Sequence, residues 1–94
     1  MVIPETIKIG AITYRVEFAE LEDAGECDTV KQVIRLNSNC TKEMQEMTFF
    51  HEMLHAMCSE FSDGPMHAFM DTLSQLLYQT LSENSLLDKR SAGV

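Results

Sequence analysis

The chain has 94 residues, which is enough for one domain and too few for two. Apolar residues make up 45% of it, so the chain can bury a modest core. Fifteen acidic and seven basic side chains give a formal net charge of -8, which argues against nucleic acid or an anionic membrane as a partner. Neither a secretory signal nor a membrane-spanning apolar run is visible, so we expect a soluble, cytoplasmic protein.

Two strands are predicted first, over residues 6–18, where apolar and polar residues alternate. Gly10-Ala11 interrupts the alternation where a hairpin would turn. Residues 19–31 are acidic and polar, which predicts a surface loop. Residues 32–37 predict a third short strand, which ends at a turn cluster of asparagine and serine.

Two helices follow the strands. Thr41 is a predicted N-cap for a helix over residues 42–60, and Pro65 is suited to the first position of a second helix that runs to about Asn84. Three- and four-residue spacing predicts an apolar, core-facing stripe on the first helix, formed by Met47, Phe50, Leu54, Met57 and Phe61. The same spacing predicts a wide buried face on the second helix, formed by Met66, Phe69, Met70, Leu73, Leu76, Leu77 and Leu81.

These elements predict an α+β fold in which a three-stranded sheet, a hairpin plus a third strand, is followed by two packed helices. One domain over residues 1–87 and a flexible C-terminal tail over 88–94 are expected. The three cysteines are odd in number and lack CxxC spacing, so reduced thiols are expected at Cys27, Cys40 and Cys58.

The sequence HEMLH within the first predicted helix points to a metal site. His51 and His55 are four residues apart, so both imidazoles lie on one helix face and can reach one zinc ion. Glu52 lies at the edge of that face, where a general base can act on water whose pKa zinc has lowered. The alternative for the two histidines is partial burial in a helical core without metal.

A catalytic zinc site needs a third protein ligand. His67 is the remaining histidine, and antiparallel packing of the two helices would bring it back towards the motif. We expect His67 to be the third ligand and Asp71 to be a carboxylate that orients one of the histidines; the reverse assignment stays open. Cys58 is two helical turns from His51, too far along the axis to share the ion easily.

The chain resembles the small HExxH metallopeptidase-like proteins of phages and other mobile elements, which are related to the ImmA/IrrE group and to minimal gluzincins. The resemblance covers most of the chain, through IPETIKIGAITYRVEF, VIRLN, TFFHEMLHAM and LLYQTLSEN in this order. It implies a minimal zincin-like domain in which His51 and His55 bind Zn²⁺ and Glu52 is the base. It also implies that residues 32–37 pair with an extended substrate as an edge strand. The family commonly has a glutamate ligand where this chain has His67.

The expected function is therefore that of a cytoplasmic zinc metallopeptidase, within the host bacterium if the chain is phage-encoded, with a protein or peptide as substrate. A non-catalytic, phage-derived binding or regulatory module with a structural zinc is the second hypothesis. A metal-free helical adaptor with a Met-rich binding face is the third.

Overall fold

The computed structural model describes residues 1–58 and 65–87. Four strands precede two helices: β1 (Thr6–Ile9), β2 (Ile12–Ala19), β3 (Gly25–Asp28), β4 (Val33–Asn37), α1 (Lys42–Met57) and α2 (Pro65–Glu83). The α+β class, with a sheet followed by two packed helices, is confirmed. The predicted tail at 88–94 and the predicted stripe residue Phe61 lie outside the described residues.

The predicted hairpin is present. Ile9 pairs with Ile12, so Gly10 and Ala11 form a two-residue loop between antiparallel β1 and β2. Gly10 has a φ of 61°, a conformation that glycine adopts without steric cost. A positive φ at the first of two loop residues matches a type II′ turn, whose twist suits the flanking strands.

The sheet has four strands in the order β1-β2-β4-β3, one more than predicted. Residues 25–28 were expected to belong to a surface loop and instead form β3, which pairs antiparallel with β4. β4 also pairs in parallel with β2, so it lies in the interior of the sheet. The expectation that residues 32–37 form an edge strand for substrate is therefore wrong, and β3 occupies that edge.

Asn37 fixes the end of β4. Its buried side-chain amide donates to the carbonyl oxygens of Leu21 and Asp23, at 2.9 and 3.1 Å. Its side-chain oxygen accepts from the backbone N–H of Asn39, and its carbonyl oxygen accepts from Gln45 of α1. The buried amide is therefore satisfied, and it ties the segment before β3 to the sheet.

α1 begins where it was predicted and ends earlier. The Thr41 hydroxyl accepts a hydrogen bond from the backbone N–H of Met44 at 3.2 Å, as expected of an N-cap. The helix stops at Met57 and not at residue 60, since Cys58 has a non-helical backbone and is the C-cap.

The core lies between the sheet and α1, and the face that α1 presents to it matches the predicted stripe only in part. Phe50 of that stripe is buried, but Met57 is 54% exposed, and Phe49, which the stripe does not include, is buried. Because α1 contacts the sheet on one side and α2 on the other, polar residues of α1 are buried as well. The buried apolar residues of the core are Tyr14, Val16, Val33, Ile34, Leu36, Phe49, Phe50 and Met70.

α2 packs mainly against α1 and has a narrower buried face than predicted. Met70 is the one residue of the predicted apolar face that is fully buried in the described part of the chain. The prediction was wrong for four members of that face, since the sheet does not reach their side of the helix: Met66, Phe69, Leu73 and Leu76 are exposed.

The three cysteines are free thiols, as predicted. Among the described residues, neither helix combines the length and the apolar character that crossing a membrane requires.

Candidate metal centre

Antiparallel packing of α1 on α2 brings the predicted site residues together. At one end of the helix pair, the hydroxyl of Tyr78 donates to Glu46 at 2.9 Å. At the other end, the rings of His55 and His67 lie with their centroids 4.9 Å apart. Residues 51 and 71 face each other between these two contacts, so the helix register determines which side chains meet at the centre.

The imidazoles of His51 and His55 converge from successive turns of α1. Their Nε2 atoms are 2.9 Å apart and their ring centroids 4.6 Å apart. Burial lowers the pKa of both histidines below its ordinary value. The imidazoles are therefore held in the neutral form, which is the form that binds a metal ion.

Asp71 completes a group of three possible ligands. One ligand atom from each of His51, His55 and Asp71 lies within 4.8 Å of the other two. The Oδ1 atom of Asp71 is buried, and it lacks a hydrogen-bond partner among the described residues. It is 3.2 Å from Nδ1 of His51. A buried carboxylate oxygen without a donor is costly, and a cation bound beside it would remove that cost, so the three residues fit a metal ion.

His67 lies next to this group, not within it. Its ring is more exposed, and its Nε2 atom is 3.5 Å from Oδ2 of Asp71, the carboxylate oxygen that does not face His51. The three-residue group matches the assignment that was ranked second from the sequence, with Asp71 as a ligand and His67 beside it. The contact of Asp71 Oδ1 with Nδ1 of His51, whose Nε2 faces His55, also fits the first assignment, in which Asp71 orients His51. Cys58 is outside the three-residue group as well, as expected.

Ser74 supports the site and was assigned no role from the sequence. It is 1% exposed, and its hydroxyl donates to the carbonyl oxygen of Asp71 at 2.9 Å. The Oγ atom of Ser74 is also 3.5 Å from Nδ1 of His51. Ser74 lies three residues after Asp71 and thus on the same face of α2, and this spacing was the signal available in the sequence.

Glu52 lies beside the histidine pair and is 7% exposed. Its Oε2 atom is 3.9 Å from Nε2 of His51, which places the carboxylate at the edge of the three-residue group. Burial, followed by the negative charges of Glu26, Asp71 and Asp23, raises the pKa of Glu52 to about 7. A carboxyl group with a pKa near neutrality can both accept and release a proton.

Gly25 allows β3 to lie directly on α1 at this point. A Cβ atom at residue 25 would be 2.5 Å from Cγ2 of Thr48, 2.9 Å from the carbonyl oxygen of Arg35 and 3.5 Å from Cγ of Glu52. Only glycine fits such a close approach without a shift of its neighbours. Sequence reasoning missed this contact, because it assigned Gly25 to a surface loop.

A cleft of about 450 Å³ opens over the candidate ligands. One wall comes from β3 and the segment before it, and the other two come from α1 and α2. The lining residues include Asp23, Ala24, Gly25, His51, Glu52, His55, His67 and Ser74. The candidate metal centre is therefore accessible to a ligand of the size of a short peptide segment.

No family model matches the chain, and neither the curated proteins nor the solved structures contain a significant match to it.

Proposed function

We propose that the protein is a zinc-dependent metallopeptidase in which His51, His55 and Asp71 bind the ion and Glu52 is the general base. The observation that carries the proposal is the buried, unpartnered Oδ1 atom of Asp71 next to two converging imidazoles. Two neutral histidines and one carboxylate are a common ligand set for catalytic zinc, which keeps a further position open.

Each residue would have a distinct task. His51 and His55 would supply neutral nitrogen donors from one face of α1, and Asp71 would supply a negative oxygen donor from α2. Ser74 holds the backbone of α2 at Asp71 and lies against His51, so it supports both sides of the ligand set. Zinc bound by such a set acidifies water and polarises a carbonyl group.

Glu52 would move the proton. Its carboxylate opens onto the cleft beside the histidines and is shielded from bulk solvent, so it can take a proton from attacking water. It can then deliver that proton to the departing amine of the cleaved peptide bond. The close approach of β3 at Gly25 keeps it in place, since a Cβ atom at residue 25 would already lie 3.5 Å from Cγ of Glu52.

The substrate backbone would pair with β3. Asn37 donates its backbone N–H to the carbonyl oxygen of Ala24, so every second pair along β3 and β4 is hydrogen-bonded. Gly25 and Cys27 belong to the alternate pairs, and their backbone N–H and C=O groups point away from β4. These groups form the free edge beside the cleft, where an extended peptide can add as a fifth strand.

Substitution of Glu52 by glutamine tests the proposal. Zinc-loaded wild-type protein should cleave members of a proteome-derived peptide library, detected by mass spectrometry as new termini. Glu52→Gln should lower the initial rate on a cleaved peptide by roughly 10²–10⁴-fold, since it removes the base. It should leave the zinc stoichiometry and the circular dichroism spectrum unchanged.

Two results would contradict the proposal. Full activity of Glu52→Gln would remove that residue from the mechanism. Zinc-loaded wild-type protein that generates no new termini from the library would leave a structural zinc site in a non-catalytic module.

A further inference from the structure

Four exposed apolar side chains form a row along α2. The exposed fractions are 42% at Met66, 60% at Phe69, 39% at Leu73 and 56% at Leu76. Successive members are three, four and three residues apart. This is the spacing of the a and d positions of a coiled-coil seam, which fits a second helix lying alongside.

The row is on a different side of α2 from the metal centre. At 100° per residue, Asp71 and Ser74 project roughly 100–160° away from Leu73 and Phe69. The fold buries the side with Met70 and Ser74 against α1, and no element within residues 1–58 and 65–87 covers the row. The site and the row can therefore be occupied at the same time.

The row carries no charge in a strongly acidic chain. Its flanking residues Thr72, Gln79 and Thr80 are neutral, and the first charged side chain further along the row is Glu83. Two copies with a net charge of -8 each repel one another over most of their surfaces. A neutral apolar strip is the kind of surface on which like-charged copies can meet without placing carboxylates opposite each other.

We propose that the protein self-associates through this row into a symmetric dimer of antiparallel α2 helices. Antiparallel pairing places Met66 opposite Leu76 of the second copy, and Phe69 opposite Leu73. Parallel pairing would bring the two copies of Glu83 together, whereas antiparallel pairing keeps them at opposite ends of the seam.

The size of the row determines how much surface the dimer can bury. Side chains of this size bury roughly 150–250 Å² when fully covered, so the exposed parts of the four amount to about 350 Å² in each copy. With its polar flanks, the interface buries roughly 800–1,000 Å² in total, which is at the lower limit of specific interfaces. We therefore expect a dissociation constant in the micromolar range, so that the dimer forms as the protein concentration is raised.

Sedimentation equilibrium of the full chain from about 10 to 500 μM tests the dimer. The wild-type mass should rise from 10.7 kDa towards twice that value. Phe69→Glu and Leu76→Glu should each raise the dissociation constant by roughly tenfold or more, because each places two carboxylates in the seam. Phe18→Glu is the matched control; Phe18 is 51% exposed on β2, away from α2, and its change should leave the dimer intact.

Circular dichroism and zinc content show whether the variants stay folded. A wild-type mass that stays at 10.7 kDa up to 500 μM would overturn the proposal. The same conclusion would follow if both α2 variants dimerised like the wild type, or if Phe18→Glu dissociated the dimer as they do. None of these results depends on peptidase activity, so the dimer and the proposed function can fail separately.

Discussion

Asp71 and His67 are one turn apart on α2, and the sequence alone does not decide which of them is the better candidate for a third metal ligand. The choice depends on which side chain turns towards the histidine pair, and that follows from the register between α1 and α2. In the structure, Oδ1 of Asp71 is the buried atom without a donor, whereas the His67 ring is more exposed. The spacing of residues along α2 does not determine how α2 is aligned with α1, so the sequence could not choose between Asp71 and His67.

Zinc affinity should separate these two residues. We expect Asp71→Ala to lower the affinity at least about 100-fold, because it removes a ligand, and His67→Ala to lower it by roughly tenfold or less, because it removes a neighbour of the ligand. Competition with a chromophoric chelator measures both. The opposite order would restore His67 as the third ligand, as the sequence first suggested.

The thiol of Cys27 should react slowly in the folded protein. Burial, followed by the negative charges of Glu52 and Asp28, raises the pKa of Cys27 to about 11 from 9.0. Since the thiolate is the nucleophile, alkylation by iodoacetamide at pH 8 should be roughly 100-fold slower than in the urea-unfolded chain. The rate should keep rising with pH through 9 and 10. Mass spectrometry of the peptide that contains Cys27 measures the alkylation rate. Equal rates in the folded and unfolded chains would show that the fold does not shield the Cys27 thiol.

β3 differs most between the sequence-based interpretation and the structure. The hairpin and the N-terminus of α1 could be predicted because their signals are local, a Gly10 turn and a Thr41 cap. Residues 25–28 contain no β-branched residue, so their strand conformation comes from pairing with β4 and packing on α1. Such tertiary stabilisation overrides local preference, and it also determines which strand is at the edge.

The contact of β3 with α1 should be sensitive to one methyl group. Gly25→Ala should lower the free energy of unfolding by about 1–3 kcal/mol, because the new Cβ would overlap Thr48 and the Arg35 carbonyl. Urea unfolding at a fixed zinc concentration measures the change. Thr48→Ser removes Cγ2, the atom nearest to the new Cβ. It should therefore lower the free energy of unfolding less in the Gly25→Ala protein than in the wild type. A Gly25→Ala protein as stable as the wild type would show that β3 and α1 have room to separate.

At the scale of the whole molecule, α2 is the element whose position a metal ion at the candidate centre would stabilise most. Among the residues that the structure describes, seven of the eight buried apolar side chains belong to the sheet and α1, and α2 contributes Met70. The candidate ligands link α2 to α1 at one end, and the hydrogen bond between Tyr78 and Glu46 links them at the other. A zinc ion bound at the candidate centre would therefore cross-link α1 and α2.

Removal of zinc should loosen α2 first. We expect a chelator to lower the thermal midpoint and to reduce hydrogen-exchange protection in α2 more than in β2, β4 and α1, because binding to the folded form stabilises the elements that supply the ligands. The His55→Ala protein is the control, since hydrogen exchange in its α2 helix should not respond to added zinc. Loss of protection spread evenly over all elements would mean that the metal supports the entire fold and not one helix.

The amide of Asn37 has a mechanical consequence for the cleft. The Asn37 side chain fixes the segment that leads into β3. The backbone carbonyl oxygen of Asn37 accepts from Gln45 and so holds the beginning of α1, the helix that carries the histidine pair. The walls of the cleft that come from β3 and α1 thus share an anchor at the end of β4. A change in its length or polarity would alter the width of the opening without touching a single candidate ligand.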